Sequence, residues 1–141
     1  MITPNVRAYR PAADEAIVAA TWKDTFWSLG FLRWAAKRDY YRQMNRVVEW
    51  LVSPDNVLVA VNPRDENHVW GWLCFSGSVI HYAWVRHEYR RVGIFRLLLA
   101  KSELPTHPLH CSHWTRLCEV VQGKWQLAYV PTAALPPDRK D

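Results

Sequence analysis

Residues 85–99 read VRHEYRRVGIFRLLL: an apolar strand runs through two arginines and a glycine into a leucine-rich helix. That order constrains the fold, because the chain must leave a sheet and begin a helix within a few residues. A helix start carries main-chain N–H groups with no intrahelical partner, and its dipole favours negative charge there. Gly93 has no side chain, so an anion can approach the main chain closely. Arg90 and Arg91 add planar, permanently charged donors beside it. The segment is expected to cradle an anion, and the ligand it suggests is a small molecule carrying a pyrophosphate.

The rest of the chain supplies a sheet and helices around that turn. Residues 6–10 alternate as a first strand, which Pro11 stops, and Asp14 is placed to cap a helix. Val18, Trp22, Phe26 and Leu29 then form one apolar stripe at helical spacing. Gly30 interrupts it, and a second helix is expected over 32–51, with Trp34, Tyr41, Met44, Val48 and Leu51 on one face. Residues 57–61 are a buried strand by β-branched content, 62–67 a polar hairpin loop, 69–75 a strand, and 79–85 another after the Ser76-Gly77-Ser78 turn. The helix after Gly93 is expected to reach about Leu104, with Ile94, Leu97 and Leu98 facing inward. Beyond a proline-bracketed linker, a strand over 109–114, a short helix over 115–121 and a last strand over 125–130 complete the order β-α-α-β-β-β-α-β-α-β. Residues 1–130 read as one domain and 131–141 as a loose tail.

Charge and cysteine content narrow the partners. The net charge of +5 favours anionic ligands without choosing among a nucleotide-like cofactor, nucleic acid and lipid. The basic residues are scattered, and the closest cluster (Arg86, Arg90, Arg91, Arg96) belongs to the anion turn. Three cysteines at no disulfide-like spacing fit a reducing, cytoplasmic compartment. No signal peptide is read at the start, and the longest uncharged run, 69–85, is broken by Gly71 and the Ser-Gly-Ser turn, so no membrane span is expected. His110, Cys111, His113 and Cys118 are metal-binding residue types, but their spacing matches no common zinc knuckle, and no metal is expected.

The element order, with the Arg90–Gly93 loop after the fourth strand, resembles the GNAT superfamily of acyl-CoA-dependent N-acyltransferases. The family's loop pattern is Gln/Arg-x-x-Gly-x-Gly/Ala, and Arg90, Gly93 and Phe95 stand at its three fixed positions. Phe95 departs from the small third residue, and the C-terminal part is short for the family. The resemblance implies an α/β fold with a mixed, mostly antiparallel central sheet flanked by helices. It also implies acetyl-CoA as co-substrate, its pyrophosphate on the amides from about Arg91 through Val92, Gly93, Ile94 and Phe95 to Arg96, beside Arg90. The pantetheine arm would pair with the strand edge at Trp84, Val85 and Arg86, where this strand splays from the next.

Acyl transfer to an amine needs a neutral nucleophile, a polarised carbonyl and a proton for the departing thiolate. His81, on the strand that meets the acyl group, is the candidate base, and a strand histidine packed on a helix is the competing reading. Leu117-Cys118-Glu119 stands where many family members carry an acid tyrosine, so Cys118 is a candidate acid or else a small core residue. Tyr129 is a second candidate acid, and Glu88 is a weaker base that reads as loop structure. Trp27 and Phe31 fall off the helical stripe near Gly30 and are the candidates to line an acceptor pocket. The expected function is N-acetyl transfer to a primary amine of a small molecule or protein. The alternative is a non-catalytic binding or structural module of the same fold in a larger assembly. Acetylation of a charged tRNA is a third reading, allowed by the basic balance but without an RNA motif or basic stripe. The acceptor and the oligomeric state are not legible in the sequence.

Overall fold

The structure, a computed structural model, describes residues 2–28, 37–105, 108–112 and 127–129, leaving aside the side chains of 23–28 and of 37, 40, 41, 43 and 44. The elements are β1 (Asn5–Ala8), α1 (Pro11–Ser28), α2 (Lys37–Leu51), β2 (Val57–Asn62), β3 (Asp65–Ser76), β4 (Val79–Val85), a short 3-10 turn (His87–Tyr89), α3 (Ile94–Ser102), β5 (Leu109–Cys111) and β6 (Leu127–Tyr129). The strands form one six-stranded sheet in chain order. β1 to β4 are antiparallel neighbours, and β4–β5 and β5–β6 are parallel. This is the mixed, mostly antiparallel sheet flanked by helices that the sequence led us to expect. Among the described residues, no helix is long and apolar enough to cross a membrane.

The sheet buries both faces. On one, Val18 and Trp22 of α1 and Leu51 of α2 pack on Val57, Val59, Val61, Trp72, Cys74 and Tyr82. Trp22 stacks on Tyr82 with ring centroids 5.5 Å apart, and Trp72 lies 5.2 Å from the same tyrosine. Trp72 keeps its buried N–H paired by donating to Thr21 Oγ1 at 2.9 Å. On the other face, Ile94, Leu98 and Leu99 of α3 cover Ala60, Trp70, Leu73, Ile80 and Ala83. Leu99, not Leu97, completes the buried face of α3, and Leu97 is only half-buried. Helical spacing from Ile94 allows either, and the sheet beneath decides.

Several boundaries shift for identifiable reasons. Asp14 is not the residue before α1 but sits in its first turn, behind Pro11, a residue suited to that position. Its carboxylate reaches back to the Arg10 N–H at 2.8 Å and pairs with Arg7 through two bonds of 2.6 and 2.8 Å. β1 is thus tied to α1 by a buried, bidentate ion pair. The polar loop expected over 62–67 contracts to a tight hairpin. Asn62 Oδ1 takes the Arg64 N–H and Asp65 Oδ1 takes the Asn67 N–H, so β3 begins at Asp65. α3 stops at Ser102, where Glu103 adopts φ +60° and its N–H bonds Ala100 O. Strand β5 ends at Cys111, earlier than expected; β6 is described over Leu127–Tyr129, within the expected 125–130, and the helix expected over 115–121 and the tail 131–141 lie outside the described residues.

Candidate acyl-CoA site

Gly71 lets α3 approach the sheet. A Cβ there would lie 2.8 Å from Trp84 O and 3.2 Å from Ile94 Cγ2. Ile94 is the first residue of α3, so this contact positions the helix start over β3 and β4. The turn leading into it is braced from below: Tyr89 stacks on Trp70 at 4.3 Å between centroids, and His68 meets Tyr89 edge-on at 6.0 Å. Arg86 lies over the Trp84 ring at 5.5 Å, and its Nε donates to Val69 O at 2.9 Å.

The loop itself turns twice through the left-handed region, at Arg91 (φ +65°) and at Gly93 (φ +92°). Gly93 adopts this freely, but a β-carbon makes it costly for Arg91. Alternating conformations of this kind gather successive N–H groups into a concave nest for anions. The amides of Arg91, Val92, Gly93 and Ile94 donate to no acceptor among the described residues. A Cβ built on Gly93 meets no heavy atom within 4 Å, so the space above the turn is open. Phe95, the bulky departure from the loop pattern, packs against the α3-side core. Arg90, Arg91 and Val92 are exposed around the turn, and Arg96 follows on the exposed side of α3.

Among the described residues, β4 and β5 pair at Val79↔His110 and Ile80↔Cys111, with Ser112 N–H donating to Ile80 O at 2.9 Å. Beyond that point this edge of β4 has no strand partner among the described residues. His81 is the cause. The β3 register passes from Cys74↔Tyr82 to Phe75↔Ile80, leaving His81 as an extra residue, a β-bulge. Arg86 N–H bonds Trp70 O at 2.7 Å, and in an antiparallel ladder that bonded state recurs at every second residue. Trp84 and Tyr82 therefore bond toward β3, while the main-chain groups of Ala83 and Val85 point to the open edge. Of the expected edge residues 84–86, Val85 alone presents its main chain there, and Ala83 joins it. Arg90 Nε already donates to Val85 O at 2.8 Å. The sequence hid Ala83 because a single bulged residue reverses the phase of everything after it.

His81 directly follows Ile80, the last β4 residue paired with β5 among the described residues, and is 1 % exposed. Its Nε2 lies 2.5 Å from Ser76 Oγ and its Nδ1 2.7 Å from Ser112 Oγ. Neither serine stood out in the sequence; the only signal was Ser76 heading the turn into the histidine strand. Tyr129 is exposed on β6, level with Cys111 and Ile80 but two strands away from β4, about 10 Å by ordinary strand spacing. Glu88 is exposed in the 3-10 turn. Trp27 lies on α1, but its side chain is outside the described set, as are Phe31 and Cys118 altogether. Cys74 is buried beneath α2, its thiol against Leu51 O, and burial pushes its pKa far up, so it is inert as an acid near neutrality.

No family model and no curated protein matches the chain. Three solved structures are similar to it. Apo-form YjaB from Escherichia coli is 18% identical with a TM-score of 0.49, the match covering 72% of this chain and 65% of that one. A putative acetyl transferase from Pyrococcus furiosus is 21% identical, TM-score 0.49, covering 70% and 72%. A GNAT family acetyltransferase from Staphylococcus aureus is 18% identical, TM-score 0.40, covering 72% and 76%.

Proposed function

We propose that this chain is an acyl-CoA-dependent N-acetyltransferase of the GNAT type, moving an acetyl group from acetyl-CoA to a primary amine. One observation carries the reading: four consecutive amides, residues 91–94, that donate to no acceptor among the described residues lie in an open, arginine-flanked turn, beside a strand edge without a strand partner among those residues. A diphosphate would take its hydrogen bonds from those amides, with Arg91 and Arg96 supplying charge. The amide-bearing pantetheine arm would then run along β4, pairing with Ala83 and with the Val85 N–H as an added strand does. Strain at Arg91 fits a binding role, since strained backbone is held in place where a site requires its shape. The thioester would arrive in the wedge between β4 and β5, near His81. The attacking nitrogen forms a bond to the carbonyl carbon, the C–S bond breaks, and one proton passes from nitrogen to the thiolate.

Acetyl-CoA at a hundred times its Kd is expected to stabilise the protein by about 2.7 kcal/mol, seen as a rise in Tm. Gly93→Glu, which sets a carboxylate on the nest, is expected to remove that rise. Equal calorimetric affinity in the variant and the wild type would refute the cradle. A binding module without turnover is the second reading, favoured by the complete burial of His81. Release of free thiol from acetyl-CoA in the presence of primary amines separates the two.

A further inference from the structure

The anion turn and the strand edge beside it share one side chain. Arg90 ends the 3-10 turn and leads into the nest, and its Nε donates to Val85 O at 2.8 Å, the carbonyl that faces away from β3. That is the distance at which an added strand places its own N–H. The guanidinium therefore holds the seat that an amide of the pantetheine arm would take. We propose, on the acyltransferase reading above, that Arg90 is a latch that selects for the diphosphate. It closes the β4 edge to short thioesters, and a diphosphate in the nest draws it off.

The latch is weakly held. Arg90 is exposed, so water competes for its bond to a neutral carbonyl. Its Nη groups donate to no acceptor among the described residues, and Glu88, two residues away, makes no ion pair with it. Both positions lie within reach of this one side chain, because Arg90 is bonded to Val85 O and is the chain neighbour of Arg91, where the nest begins. A diphosphate offers the planar guanidinium two ionised oxygens at once, a stronger pairing than one carbonyl. Moving there frees Val85 O. Val85 then presents both its C=O and its N–H to an added strand, the two bonds that one strand residue gives a neighbour. With the latch closed, only the N–H is available.

The two halves of the cofactor then help each other. The diphosphate pulls the latch open, the arm keeps it open, and each raises the other's affinity by the same factor. Acetyl-CoA carries both halves in one molecule. A thioester without the nucleotide must displace Arg90 unaided.

The coupling is measured by calorimetry with the halves as separate molecules. ADP supplies the diphosphate. Deoxypantetheine, the arm without its terminal hydroxyl, leaves room for the nucleotide's last oxygen. Wild-type protein saturated with ADP is expected to bind deoxypantetheine about fivefold tighter than ADP-free protein. Arg90→Met, which keeps the stem and removes the donors, is expected to bind deoxypantetheine about fivefold tighter without ADP, to bind ADP more weakly, and to show no coupling. These two changes have opposite signs, which neither a folding defect nor a simple loss of charge produces. Deoxypantetheine affinity unchanged or lowered in Arg90→Met overturns the latch. So does an ADP effect that is absent from the wild type or persists in the variant. A protein that binds acetyl-CoA but not deoxypantetheine, even with ADP present, overturns it too. Absence of acetyl-CoA binding overturns the acyltransferase reading and the latch together.

Discussion

Gly71→Ala tests how the fold delivers the anion turn. The new methyl carbon would sit 2.8 Å from Trp84 O, 3.2 Å from Ile94 Cγ2 and 3.4 Å from Val85 Cγ2. The first contact is about 0.6 Å short of ordinary van der Waals distance, and its partner is ladder backbone that cannot rotate away. Overpacking of this kind costs about 1–3 kcal/mol, offset by about 0.5–1 kcal/mol from the stiffer unfolded chain. The expected net loss is about 1–2 kcal/mol, or a Tm lower by about 3–8 °C in two-state melting. Relief moves α3 outward at Ile94, the last amide of the nest, so acetyl-CoA affinity should fall about tenfold. Gly77→Ala is the control. It meets nothing within 4 Å and stands at φ +57°, so it should cost about 1 kcal/mol and leave affinity untouched. A Gly71→Ala protein with the wild-type Tm and affinity would refute this account of how α3 is seated.

Arg91→Gly should separate stability from binding: the left-handed backbone is relieved, raising stability by about 1 kcal/mol, while acetyl-CoA affinity falls with the lost charge. Melts and calorimetry on one sample check both signs, and a parallel change of the two would contradict the nest. Arg7→Ala leaves Asp14, 0 % exposed, without its ion-pair partner, and should cost about 3–5 kcal/mol in denaturant unfolding. The Cys74 thiol, its pKa raised by burial above the ordinary 9.0, stays protonated in the folded state while the unfolded state ionises. Its contribution is therefore complete below about pH 9 and declines as pH rises beyond it, so Cys74→Ala should flatten part of the alkaline slope of stability. Native Cys74 should also resist thiol reagents until the protein unfolds.

The strands, the α3 turn and the apolar faces were legible in the sequence because their causes are local. Alternation marks a strand, and an Arg-Arg-x-Gly step before leucines marks a helix start with free amides, whatever lies around them. Val18, Trp22 and Leu51 were readable as core for the same reason: apolar spacing determines the face before the partner is known. Tertiary structure decided what depends on residues distant in the chain. Whether Leu97 or Leu99 is buried depends on the sheet under α3. Which of residues 83–86 offers its backbone depends on one bulge at His81, and a bulge exists only relative to the neighbouring strand. That His81 is clasped by serines five residues before it and thirty-one after follows from where β3 and β5 end. Contacts within a turn follow from covalent geometry and sterics, whereas contacts across the sheet follow from register, and register is a property of the assembled sheet.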